Sequence, residues 1–86
     1  MRLLWEDRAW NDYLYWQAQD KKTLTRINKL IKDIRRGTFD GIGKPEPLKG
    51  NLSGMWSRRI DDSNRIVYYE QDDIIYLVSC KGHYDD

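Results

Sequence analysis

The chain reads as an α+β domain: an N-terminal helical hairpin packed on a mainly antiparallel, twisted sheet of about four or five strands. Three features predict it. Two segments of helical period stand early in the chain and are joined by a very short connection. Three short strand-like runs stand late, separated by turn signals. Between them lies a stretch from Gly37 to Gly54 that holds five of the six glycines and both prolines. Helices first and strands later put the helical pair on one face of the sheet.

Arg2 to Trp5 is a short apolar run that suits a strand. Asp7 is placed to cap the helix that follows. Trp10, Tyr13, Leu14 and Gln17 then recur at helical spacing, with Ala9 and Trp16 widening the stripe. Asp20 is placed to cap a second helix, whose apolar positions are Leu24, Ile27, Leu30, Ile31 and Ile34. Arg35 and Arg36 fall in its last turn and Gly37 ends it. So short a link between helices predicts an antiparallel hairpin. The Gly37–Gly54 stretch reads as a long loop, and long loops in small domains are often functional. Met55–Ile60, Arg65–Glu70 and Ile74–Cys80 read as strands, with Asp61-Asp62-Ser63-Asn64 and Gln71-Asp72-Asp73 as turns, which predicts a meander.

The 86 residues make one domain, 1–86. So short a chain buries a modest fraction of its surface. Cys80 is the only cysteine, so no disulfide framework compensates, and a cytoplasmic setting is expected. Four tryptophans, six tyrosines and one phenylalanine supply large apolar area instead, for a core or an interface. No apolar stretch approaches the roughly 20 residues of a membrane-spanning helix, so no membrane partner is expected.

The net charge of +1 says little about nucleic acid, but its distribution says more. Lys44, Lys49, Arg58 and Arg59 cluster against one acid, Glu46, and Arg65 and Lys81 extend the set. A local basic patch on a near-neutral protein can bind phosphate; a mixed, solvated surface is the other reading.

Few residues could do chemistry. His83 is the only histidine, and histidine is the side chain whose unperturbed pKa lies nearest neutrality. Glu46 sits between Pro45 and Pro47. Two prolines restrict the backbone on both sides, so Glu46 is either an exposed loop carboxylate or a base held in place. Arg58 and Arg59 point to opposite faces of their strand, so one face receives only one of them. Arg65 opens the next strand, as a phosphate ligand or as an edge charge that deters aggregation. Glutamate, arginine and histidine together fit cleavage of RNA by its own 2′-hydroxyl, which needs a base, a cation and an acid. No metal or other cofactor is expected: one His and one Cys do not make a zinc set. Neither a P-loop nor a Gly-x-Ser-x-Gly elbow occurs.

The sequence resembles the YoeB branch of the RelE/ParE toxin superfamily of bacterial toxin–antitoxin modules. The resemblance rests on Trp10-Asn11-Asp12-Tyr13-Leu14-Tyr15-Trp16, Ile27 to Asp33, and Gly43-Lys44-Pro45-Glu46-Pro47-Leu48-Lys49. It continues through Asn51 to Gly54, Trp56-Ser57-Arg58-Arg59-Ile60, Arg65-Ile66-Val67-Tyr68 and His83-Tyr84. It implies a fold like that of small microbial ribonucleases and an mRNA endonuclease working in the A site of the 70S ribosome. It also implies Glu46 as general base, His83 as general acid, Arg65 with Lys49 on the phosphorane, and Tyr84 shaping the site. Lys44 and Arg59 would bind phosphate. The implied partners are a cognate antitoxin, a second copy in a homodimer, and operator DNA only through the antitoxin. Asp85 and Asp86 follow the His-Tyr pair, beyond the point where such toxins commonly end, and Gly82 adds backbone freedom before it. Two other readings stand beside this one: a ParE-like toxin that binds DNA gyrase without nuclease chemistry, and a plain RNA-binding module.

Overall fold

In the computed structural model, which describes residues 1–83, β1 (Arg2–Trp5) leads into two helices, α1 (Asp7–Gln19) and α2 (Lys21–Arg36). Asp20 is the one residue between the helices, and its carboxylate accepts the backbone N–H groups of Lys22 and Thr23. It therefore caps α2 as its position predicted. Asp7 does not cap α1. Glu6 occupies the N-cap without a side-chain bond, and Asp7 is the first helical residue, where its charge still favours the positive end of the helix dipole.

The long stretch after α2 is not all loop. It contains β2 (Glu46–Pro47) and a single 3-10 turn, Gly50–Leu52. Then come β3 (Trp56–Arg59), β4 (Arg65–Gln71) and β5 (Ile74–Ser79). The sheet order is β1-β5-β4-β3-β2. β2, β3, β4 and β5 pair antiparallel, while β1 lies parallel to β5, with Leu3 opposite Ile75 and Trp5 opposite Leu77. The sheet is thus mixed. Its parallel pair joins the first strand to the last, and everything between them serves as the crossover. Pro47, which has no N–H to give, sits on an edge strand.

The core lies between the helices and one sheet face. Ile27, Leu30, Ile31 and Ile34 of α2 meet Ile66 and Tyr68 of β4 and Ile75 and Leu77 of β5. Each such aliphatic side chain, fully buried, contributes roughly 1.5–3 kcal/mol. In α1 the buried stripe differs from the predicted one. Ala9 is fully buried, Tyr13 and Trp16 are half-buried against the core, and Trp10 and Leu14 are exposed. The small Ala9 brings the helix backbone close to the sheet, and the Cys80 thiol donates to its carbonyl. Two polar tips fix the helix: Tyr13 Oη donates to Asn28 Oδ1 at 2.8 Å, and Trp16 Nε1 to the Cys80 carbonyl at 2.8 Å.

In β5 the register slips. Tyr68 faces Leu77, but Val67 faces Ser79, so Val78 is an extra residue. The bulge breaks the alternation that would carry Ile75, Leu77 and Ser79 on to His83 along one face. Cys80 therefore joins Ile75 and Leu77 in the core. No helix among the described residues is long and apolar enough to cross a membrane.

Candidate active site

Arg58 and Arg59 separate as strand alternation requires. Arg58 turns inward, with none of its side chain exposed, and Arg59 stays on the outer face. The buried guanidinium anchors the loop after α2. Nη1 donates to Asp33 Oδ2 at 2.6 Å and to the Ile42 carbonyl. Nη2 donates to the carbonyls of Gly37, Thr38 and Asp40, and Nε donates to Tyr68 Oη at 3.0 Å. The Ile42 N–H and the Arg58 guanidinium on the Asp33 carboxylate hold its pKa below the usual carboxylate value. Arg58 is thus withdrawn from the predicted basic surface.

The anchored loop delivers the next segment to β3. The Gly43 carbonyl accepts the Arg59 N–H at 2.6 Å. Gly43 has φ +83, and a Cβ there would lie 2.7 Å from Leu30 Cδ2 and 3.2 Å from the Arg59 carbonyl. Only glycine fits both the conformation and the space. Lys44 follows with φ +53, an uncommon state for a side-chain-bearing residue. This pair of left-handed residues swings the chain into β2, where Glu46 lies opposite Ser57. Arg59 lies opposite Arg65 one step along the same outer face.

Lys44, Glu46, Arg59 and Arg65 therefore converge, lining a small depression of about 80 Å³. Two arginines directly opposite each other repel. Three cations around one carboxylate make a site that an anionic group relieves, and the fork of an arginine matches a phosphate.

The segment Cys80 to Gly82 is held beside this site by backbone hydrogen bonds. The Arg65 N–H donates to the Gly82 carbonyl at 3.0 Å, and the Gly82 N–H donates to Asn64 Oδ1 at 2.7 Å. Asp12 accepts the Cys80 N–H at 2.9 Å, and Arg8 reaches the Lys81 carbonyl. Gly82 has φ +80. This left-handed conformation is one that its lack of a side chain permits, and both its backbone N–H and its carbonyl are hydrogen-bonded. His83 is exposed and follows directly from a residue bonded to the Arg65 backbone.

Not every predicted site residue joins the depression. Lys49 is exposed beyond β2 and does not line it. Lys81, part of the basic set in sequence, lies over the Tyr15 ring on α1 at 4.5 Å. Tyr84, with Asp85 and Asp86, lies outside the described residues. Sequence reasoning missed two supports. Asp61 caps the turn by accepting the N–H groups of Ser63 and Asn64, and its carbonyl accepts from Arg65 Nη1 at 3.2 Å. Asn64 holds Gly82. The Asp61-x-x-Asn64 spacing, which favours a side-chain-capped turn, was the available signal. Among the described residues no group of three or more His, Cys, Asp or Glu is arranged to hold a metal ion.

Residues 5–84 match the family model described as YoeB-like toxin of bacterial type II toxin-antitoxin system. The chain is 55% identical over 84 residues to Toxin YoeB of Escherichia coli K12, covering 98% of this chain and 100% of that one. It superposes on a YoeB dimer structure from Staphylococcus aureus with a TM-score of 0.90, at 47% identity over 98% of each chain. A heterotetrameric YoeB-YefM toxin-antitoxin complex from the same organism gives 0.89, at 46% identity over 98% of each chain.

Proposed function

We propose that this chain, which belongs to the YoeB-like toxin family of bacterial type II toxin–antitoxin systems, is a ribosome-dependent endoribonuclease that cuts mRNA in the A site. It uses the RNA's own 2′-hydroxyl as nucleophile. Glu46 takes the 2′-proton, and the 2′-oxygen attacks the adjacent phosphorus. Arg65 holds the charge of the phosphorane, assisted by Arg59 and Lys44, which line the same depression. His83, protonated, gives its proton to the leaving 5′-oxygen. The products are a 2′,3′-cyclic phosphate and a 5′-hydroxyl, and every atom and proton is accounted for without a metal. Tyr84 shapes the site or stacks on a base.

The observation that carries this reading is the shared depression of Glu46 and Arg65, together with the backbone bond that ties the residue before His83 to Arg65. The carboxylate and the arginine share this depression with two further cations, and His83 is the next residue after the Gly82 that bonds to Arg65.

The partners follow from the relatives. The protein forms a homodimer, as the Staphylococcus aureus YoeB dimer does, and a cognate antitoxin binds it, as YefM binds in the toxin–antitoxin complex. Operator DNA is reached only through the antitoxin. The protein acts in the cytoplasm, where ribosomes translate.

Primer extension on ribosome-bound mRNA tests the chemistry. Glu46→Ala, Arg65→Ala and His83→Ala should each lower cleavage by about a hundredfold or more while leaving the circular dichroism unchanged. A 2′-deoxy nucleotide on the 5′ side of the scissile phosphate should abolish cleavage. Wild-type rates for all three variants, or continued cutting of the deoxy message, would refute the assignment.

A further inference from the structure

The outer face of the sheet is banded, and the proposed chemistry uses only one end of it. Along β4 the outward residues are Arg65, Val67 and Tyr69. Register extends each into a row across the strands. Arg65 faces Arg59 in the cationic row. Val67 faces Ser57 and Ser79, a low buried strip. Tyr69 faces Tyr76, which faces Leu4. The Tyr69 and Tyr76 rings are stacked, with centroids 4.6 Å apart and planes 7° from parallel. Tyr69 Oη also meets Glu6 Oε2 at 3.4 Å. The pair is half-buried and ordered before any ligand arrives.

A groove of about 360 Å³ opens beside Tyr69, beyond the β3–β4 ladder, whose last pair on this side is Trp56 opposite Tyr68. Ser53, Gly54 and Met55 form one wall, and Tyr69, Glu70 and Gln71 the other. Its volume falls within the range of small-ligand sites. Its chemistry is opposite to that of the Arg59–Arg65 depression. It has a ring, a thioether, a hydroxyl and an amide, and the nearby carboxylates of Glu6 and Glu70 oppose a phosphate. A neutral, flat group with hydrogen-bonding edges suits it.

We infer that this groove holds a nucleobase of the same RNA strand, stacked on the Tyr69–Tyr76 pair and edged by Ser53 and Gln71, while the strand's scissile phosphate occupies the cationic depression. The inference rests on the ribonuclease reading and deepens it by adding a base subsite. Cation-lined phosphate binding with an aromatic platform along the strand is how single-stranded nucleic acid is held, and one face of this sheet carries both parts. Arg65 and Tyr69 are four residues apart on one strand, about 13 Å, so the base belongs to a nucleotide flanking the cut and not to the reacting one. The site therefore sets message preference without touching the reacting atoms.

The test pairs protein variants with message variants. Programmed ribosomes carry mRNA with a natural base or an abasic nucleotide at each position flanking the cut, and cleavage is followed at limiting toxin. Wild type should cut about tenfold more slowly when one particular position is abasic. Tyr69→Ala should lose about tenfold on the natural message and nothing further on that abasic one. Tyr69→Phe, which keeps the ring, should behave as wild type. Tyr69→Leu, which keeps apolar volume in the sheet, should behave as Tyr69→Ala, separating stacking from misfolding. If Tyr69→Ala and Tyr69→Leu cut at wild-type rates, or their losses add to the abasic loss at every position, the base subsite is wrong. Weaker antitoxin binding with unchanged cleavage would give the groove to the antitoxin and also overturn it. If Arg65→Ala has no effect either, or wild type does not cut, the ribonuclease reading itself fails.

Discussion

Arg58 carries a full positive charge with none of its side chain exposed, and its survival there depends on having every donor used. Removing one member of a buried ion pair costs about 3–5 kcal/mol because the partner is left uncompensated. Arg58→Met should therefore lower the free energy of unfolding by about that amount in urea titration. Arg58→Lys should also destabilise, since one ammonium cannot reach the carbonyls of Gly37, Asp40 and Ile42 as well as Asp33. Asp33 makes the same pair sensitive to acid. Its pKa is lowered from 3.8 in the folded state, first by the Ile42 N–H and then by Arg58. A depressed carboxylate stabilises fully above its unfolded pKa, and that contribution fades as pH falls below about 3.8 toward the folded value. Thermal melts should show an acid-side loss of stability that Asp33→Asn reduces. Cys80 sits at the other extreme. Burial, aided by Asp12, pushes its thiol up to about 12, so it packs as a small apolar group and not as a nucleophile.

At the scale of elements, two left-handed turns aim the site, and they differ in what surrounds them. Gly43 combines φ +83 with neighbours that a Cβ would strike, while Gly82 combines φ +80 with open space. Gly82→Ala should cost only the left-handed penalty, about 1–2 kcal/mol. Gly43→Ala should cost more, because Leu30 and the Arg59 carbonyl must also give way, and it should displace β2 with Glu46. Denaturation midpoints of the two variants would reverse this order only if β2 can shift without loss. The helices were legible because their signals are local: Asp20 as a cap, and Ile27, Leu30, Ile31 and Ile34 at helical spacing. The buried face of α1 was not. With Trp10, Tyr13, Leu14 and Trp16 all apolar, periodicity alone could not say which side met the sheet, and the contact of Ala9 with Cys80 decided it. β2 is not legible in the sequence because a two-residue edge strand that follows one proline and contains another has no period.

Over the whole molecule, α1 and the loop after α2 leave Trp10, Leu14, Tyr15 and Phe39 exposed, apolar area of the kind that partners cover. The proposed homodimer should show a melting temperature that rises with protein concentration, and a concentration-independent melt with a monomer mass in sedimentation would count against it. Supercoiling by DNA gyrase should be unaffected by the protein, as the nuclease reading requires. From sequence alone came the α+β class, both helices with the boundaries of α2, three of the five strands from turn and alternation signals, the first from its apolar run, and the residue types for acid–base cleavage. Those depend on neighbours a few positions away. Tertiary structure decided the rest. It set the parallel pairing of the first strand with the last, sent Arg58 inward and Arg59 outward into the depression with Lys44, Glu46 and Arg65, left Lys49 and Lys81 aside, and tied Gly82 to Arg65. Each of these is a contact between distant residues, chosen by register and by which polar groups burial obliges to find partners, and neither is written in local spacing.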